Sequence, residues 1–147
     1  MGLSSVFRIT GTALNAQSIH IDAIAKNMAN SQVVSGDASS AYRAQRPVFA
    51  TLLNSSFDSD IFAGTGFSNS RNSGVKVDGF MDSEAAIEKQ RMPSNPLADK
   101  DGYIYLSNVN IVEEMAYMMQ ASRSYQSNIE VLNTSKQLML RTLSLGG

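Results

Sequence analysis

The chain contains no cysteine, so disulfides and thiolate metal sites are excluded from the start. It contains one histidine, His20. A lone imidazole without a thiol argues against a Ser–His or Cys–His nucleophile pair and against a multi-histidine zinc centre. Asp58, Asp60, Asp78 and Asp82 lack the spacing, the glycine and the closing glutamate of a calcium loop. Gly64-Thr65-Gly66 lacks the further glycine spacing and the lysine of a phosphate loop. Glu113 and Glu114 are neighbours, so on a helix they point in different directions and do not form an acid/base pair. The expectation is a protein that is not an enzyme. No catalytic, cofactor-binding or metal-binding residues are expected, and no small-molecule substrate.

Charge of one sign is also missing. Twelve Lys and Arg stand against 13 Asp and Glu, a net charge of −1, so no nucleic-acid partner is expected. No apolar run is long enough to span a bilayer. The opening residues lack a basic region followed by an apolar core, which argues against a cleaved secretory signal. Met1-Gly2 hints at myristoylation, but Val6 stands where that motif wants Ser or Thr. Export from the cytoplasm would need a route that reads something other than a standard signal. A length of 147 residues fits one domain, or one domain with helical extensions.

What the chain does have is concentrated between Asn110 and Leu145, a stretch with neither proline nor glycine. Apolar residues recur by sevens at Ile111, Met118, Tyr125, Leu132 and Met139. A second row follows at Met115, Ser122, Ile129, Lys136 and Leu143. Such rows make one helical stripe suited to packing on another helix. The helix would run roughly 50 Å. Asn110 is placed to cap it, with Glu113 three residues on, and Gly146-Gly147 to end it. Val131, Leu138 and Leu145 add a further row in the second half, and Leu140 lies elsewhere around the axis. A helix apolar on several sides is usually enclosed by several neighbours. Those neighbours are either a small bundle within the chain or other copies and other chains.

A second helix is expected from Leu3 to Asn30. Phe7, Leu14, Ile21 and Met28 repeat by sevens, while the companion row Thr10, Gln17, Ile24 and Ser31 is mostly polar. Thr10, Gly11 and Thr12 weaken its intrinsic helicity, so it needs a partner surface, most simply the C-terminal helix. Asn27-Met28-Ala29-Asn30 closes it, where short amides bond backbone groups. Polar residues inside both stripes, among them Gln17, Asn27, Asn30, Ser122, Gln126, Asn128 and Asn133, read either as a solvated face or as devices that reject slipped pairings.

The middle is extended and turn-rich. Tyr42 to Leu53 reads as an edge strand interrupted by Pro47, and Gly74 to Asp78 alternates as a strand. Ser83 to Arg91 is expected to be an extended arm pairing with Val75–Val77. Pro93 to Pro96 and Asp101-Gly102 make turns, and Tyr103 to Leu106 is a short extended run. Asn54 to Ser73 has loop composition yet carries Phe57, Ile61, Phe62 and Phe67. It is either a disordered insert or a loop that orders on a neighbour. The expected fold is mainly α with a small β-rich middle. The N- and C-terminal helices pair as a coiled-coil-like layer around a central β-hairpin excursion and a flexible loop. The division is a helix over 1–31, a central segment over 32–107 and a helix over 108–147.

Taken together, these motifs resemble the bacterial flagellar rod and hook proteins. The resemblance is carried by Asn27-Met28-Ala29-Asn30, Tyr42-Arg43-Ala44, Gly74-Val75-Lys76-Val77, Asn95-Pro96-Leu97-Ala98-Asp99 with Gly102-Tyr103, Ser107-Asn108-Val109-Asn110, the run from Glu114-Met115 through Ala121-Ser122-Arg123-Ser124-Tyr125-Gln126, and Leu143-Ser144-Leu145-Gly146. It covers nearly the whole chain and is similar above all to the subunits of the proximal rod. Asn54–Ser73 departs from it, being longer and more polar than the family's connection. The resemblance implies a structural subunit that polymerises helically in the periplasm of the flagellar basal body. It implies export by the flagellar type III apparatus without a cleaved signal, terminal helices forming an inner tube around the export channel, and transmission of torque. The implied partners are copies of itself, other proximal rod subunits, the distal rod and the protein joining rod to export gate. Asn27, Ala29 and Asn30 would be the family motif. Phe7, Leu14, Ile21, Ile24, Met28, Ile111, Met115, Met118, Tyr125, Ile129, Leu132, Leu138, Met139 and Leu143 would form the subunit interface. The competing readings are another axial rod or hook protein, a soluble helical adaptor, and a small enzyme.

Overall fold

A computed structural model describes residues 3–53 and 73–145. The expectations for Phe57, Ile61, Phe62, Phe67 and the loop over 54–72 lie outside the described residues, as do those for Met1, Gly2, Gly146 and Gly147. Seven elements follow one another. They are α1 (Leu3–Ala29), β1 (Val34–Ser35), β2 (Gln45–Leu53), β3 (Ser73–Asp82), β4 (Lys89–Arg91), β5 (Tyr103–Leu106) and α2 (Ile111–Leu145).

The two helices pack antiparallel. Asn27, near the end of α1, meets Glu114 near the start of α2, and Gln17 meets Ala121 farther along. The enclosed residues between them are small or polar: Thr10, Ala16, Ala23, Ile24 and Asn27 from α1, Glu114 and Ala121 from α2. The face of α1 turned inward therefore includes the companion row Thr10–Gln17–Ile24, while Phe7, Leu14, Ile21 and Met28 are half-buried. On α2 the inward face is Glu114, Ala121, Asn128 and Ser135 together with Met118, Tyr125 and Leu132. Of the second row expected, Ser122 and Ile129 are half-buried beside this face, while Met115, Lys136 and Leu143 are exposed. The physical reason is steric. Small residues at the contact let two backbones approach, whereas longer side chains are turned aside.

Asn110 starts α2 as expected. Its Oδ1 accepts from the amides of Val112 (3.0 Å) and Glu113 (3.5 Å), and its Nδ2 donates to Glu113 Oε1 at 3.4 Å.

Strands β2 and β3 form a two-stranded antiparallel sheet from Gln45↔Asp82 to Leu53↔Ser73. The register shifts between Val48 and Phe49, which pair with Gly79 and Val77, so Asp78 is the extra residue of a bulge. This ribbon lies along α1. Thr12 Oγ1 accepts from the Val75 amide at 3.2 Å while donating to Ile9 O at 2.9 Å. A Cβ on Gly74 would stand 2.9 Å from that same oxygen, so the approach needs glycine.

The expected pairing of Ser83–Arg91 with Val75–Val77 is not what forms. Val75, Lys76 and Val77 already pair with Thr51, Ala50 and Phe49. The segment instead places β4 on β5, with β1 on the other side of β5, in a three-stranded sheet. The loop that closes β4 on β5 (92–102) is as long as the one the alternative would need (78–88), 11 residues each, but it folds into an ordered turn. That turn is held by Asp99, whose Oδ1 accepts from the amides of Asp101 (2.9 Å) and Tyr103 (2.8 Å). Gly102 supplies the left-handed residue at φ 77°. Ser83 to Ala85 is fixed by Asn108, whose Nδ2 donates to Ser83 O (3.2 Å) and Ala85 O (3.0 Å) while its Oδ1 accepts from Ala44 N (2.8 Å).

Candidate assembly interface

Two places on the helix pair carry information about function, and they lie at opposite ends. The first is a polar junction. Asn27 and Glu114 are, with Ile104, the largest fully buried side chains among the described residues. Asn27 Oδ1 accepts from Gln45 N (2.8 Å) and from the Tyr42 hydroxyl (3.0 Å). Asn27 Nδ2 donates to Gln45 O (3.0 Å) and to Glu114 Oε2 (3.3 Å). One amide thus bonds both backbone groups of Gln45, as a strand neighbour would, and ties α1 to β2 and α2 at once. Glu114 Oε1 lies 3.7 Å from Arg46 Nη2, and the Arg46 guanidinium sits over the Tyr117 ring, 4.6 Å from its centroid. His20 packs edge-on to Phe49, with ring centroids 5.7 Å apart. Burial is the main cause that lowers the His20 pKa, followed by the nearby Arg46 charge, with Glu114 opposing. Burial likewise raises the Tyr42 phenol. Among the described residues no buried side-chain nitrogen or oxygen lacks a partner.

The second place is the far end of α2. This helix has 35 residues against 27 in α1, a difference of eight, or about 12 Å at the usual rise. Every residue from Lys136 to Ser144 is exposed. Leu138, Met139, Leu140 and Leu143 are among them, Leu143 at 67 %. A second bare stripe, Ile111, Val112, Met115 and Met119, runs along the outer side of the first turns.

The residues expected at a subunit interface therefore divide. Ile111, Met115, Leu138, Met139 and Leu143 are exposed. Phe7, Leu14, Ile21, Met28, Met118, Tyr125, Ile129 and Leu132 are half-buried, and Ile24 is enclosed by its own chain. In the motif, Asn27 is the buried hub, Ala29 is exposed, and half-buried Asn30 donates from its Nδ2 to Lys26 O at 2.8 Å. The sequence marks Glu114 and Tyr42 as motif residues without assigning them to this junction, and it gives no sign of Arg46 or Gln45. The available signal was the row Glu114, Ala121, Asn128 and Ser135, small or polar at every seventh position, which a search for apolar rows does not see.

Neither place looks like a reaction site. Among the described residues, no group of three or more His, Asp and Glu side chains is placed to hold a metal ion. No helix among them is long and apolar enough to cross a membrane.

Comparison with known proteins agrees with the architecture. The family profile described as "Flagellar basal body rod FlgEFG protein C-terminal" matches residues 100–145, which span β5 and α2. Over that stretch the chain is similar to flagellar basal-body rod proteins. Over its whole length it is 44 % identical to flagellar basal-body rod protein FlgC of Salmonella typhimurium, across 146 residues covering 99 % of both chains. It is 43 % identical to the FlgC of Escherichia coli O6:H1 over the same share. Against the FlgC of Borreliella burgdorferi it is 34 % identical over 149 residues, 99 % of this chain and 98 % of that one. The chain belongs to the FlgC family of flagellar basal-body rod proteins.

Proposed function

We propose that this chain is a structural subunit of the flagellar basal-body rod, built into a helical assembly as part of the proximal rod. The observation that carries the reading is the mismatch between what the chain hides and what it leaves bare. Among the described residues seven hydrophobic ones are buried, Ala16, Ala23, Ile24, Ala41, Ala44, Ile104 and Ala121, and five of these are alanines, while Leu138, Met139, Leu140 and Leu143 stand in solvent. Exposed apolar surface on this scale marks a contact with another chain. The helix pair formed by 1–31 and 108–147 is the part that enters the inner layer, and 32–107 lies outside it. Ile111, Met115, Leu138, Met139 and Leu143 meet neighbours directly. The half-buried residues of both stripes complete that surface, with Ile24 supporting it from beneath.

The role is mechanical and not catalytic. Packed interfaces resist shear, so torque passes through many interlocked helix contacts around the export channel. The neighbours are copies of this chain, other proximal rod subunits, the distal rod and the protein that joins rod to export gate. The chain reaches the periplasm through the flagellar type III apparatus without losing a signal peptide. Deleting the gene and imaging basal bodies tests the reading. Loss of the rod beyond its base is expected, and a full-length rod in the deletion strain would overturn it.

A further inference from the structure

We propose that Glu114 sets the axial register of α2 on the rest of the chain. Three of the seven enclosed residues at the helix contact are alanines, Ala16, Ala23 and Ala121, and such small side chains distinguish one axial position from the next only weakly. Among the described elements the body of α2 packs on α1, and strands reach it only through the Arg46 side chain of β2 and the short connection 107–110 from β5. Polar contacts sharpen the discrimination. Three are present on one side of α2, at Glu114, Tyr117 and Ala121.

They are not equivalent. Gln17 Nε2 donates to the Ala121 carbonyl at 3.1 Å, and every turn of α2 offers another carbonyl, so this bond re-forms after a slide. Arg46 over Tyr117 is half-exposed and its head can follow a moving ring. Glu114 has no substitute. The other acids of α2 are Glu113, which is exposed on another face, and Glu130, four turns away. A slide of one turn, about 5.4 Å, carries the Glu114 carboxylate away from Asn27 Nδ2 and Arg46 while other residues take its enclosed place. Buried charge without a partner is heavily disfavoured, so the slipped states are rejected. Glu114 is thus a positioning residue. It acts through where it holds α2, and it matters to the rod reading because the length that α2 projects past α1 depends on that register.

The absence of native cysteine makes the test direct. Ala16→Cys is combined, one at a time, with Met118→Cys, Ala121→Cys, Ser122→Cys and Tyr125→Cys in the full chain. Disulfide yield is then read on chains recovered from basal bodies. With Glu114 present, one partner position dominates. In the Glu114→Leu background, which fills the site without charge, the yield three to four residues away should rise on the order of tenfold relative to that position. Glu114→Asp, which keeps the carboxylate, should restore the original pattern. A Glu114→Leu pattern identical to the parent's overturns the proposal. Should that variant lose its helix signal, Glu114→Gln, which keeps the shape and the bond to Asn27, is judged by the same criterion. A parent chain absent from basal bodies speaks against the rod reading and leaves the register question to the same cross-links in the purified chain.

Discussion

The two ends of the helix pair are built on opposite plans. Where Asn27 meets Glu114, polar groups from α1, β2 and α2 saturate one another within the chain. At the other end, from Lys136 onward, α2 presents leucine and methionine to solvent. The hub at the first end is completed by its own sequence, although Ile111, Val112, Met115 and Met119 stay bare on its outer side, and the second end is completed by something else. The difference teaches where each kind of damage should show. Loss of a buried polar hub harms the isolated chain, because its partners are left unpaired in a protected site. Loss of an exposed apolar residue leaves the isolated chain nearly unchanged and removes only what would have covered it.

The strongest break of that comparison is at the bare end. Met139→Asp with Leu143→Asp should abolish swimming in soft agar while shifting the unfolding free energy of the purified chain by less than about 0.5 kcal/mol. Normal swimming would remove the argument that neighbours cover this end. Next in size is Asn27→Ala, which strands the Gln45 amide and carbonyl, the Tyr42 hydroxyl and one Glu114 oxygen. A loss on the order of 3 kcal/mol in urea denaturation is expected, since each unpaired buried group costs about 1–3 kcal/mol. A loss under about 1 kcal/mol would show that water repairs the junction.

The smallest effect is a pH slope at His20. Its pKa is lowered in the folded chain, first by burial and then by Arg46. The unfolded chain therefore takes the proton more readily. The stability that neutral His20 contributes is whole above its ordinary value, about 6.5, and is lost as pH falls from there through the folded value. His20→Gln should flatten the dependence of the urea midpoint between about pH 5 and pH 7.5. An equal slope in the variant would assign it to other groups.

Much of this architecture was legible in the sequence. The helices were, because sevenfold repetition over Leu3–Ala29 and Ile111–Leu145 is long enough to outweigh local ambiguity. Strands β2, β3 and β5 were also visible through alternation and turn residues. The partner of Lys89–Arg91 was not, because the two candidates close loops of equal length and look alike locally. The facing sides of the helices were only partly legible. Apolar rows mark what water avoids, and here the closest contact belongs to Ala16, Ala23 and Ala121, with Asn27 and Glu114 at its end. Nothing in the pattern of Glu113-Glu114 distinguishes the exposed carboxylate from the enclosed one. Only the geometry of α2 against Asn27 and Arg46 separates them.

The position of α1 has a mechanical consequence. It lies between α2 and the β2–β3 ribbon, each of which touches it and neither of which packs on the other. The three parts are therefore coupled in series. A push on the ribbon reaches α2 through the body of α1, with the Arg46 side chain as the one direct tether among the described residues. The stiffness of such a train is that of its softest joint, and where α1 meets α2 the enclosed side chains include Ala16, Ala23 and Ala121.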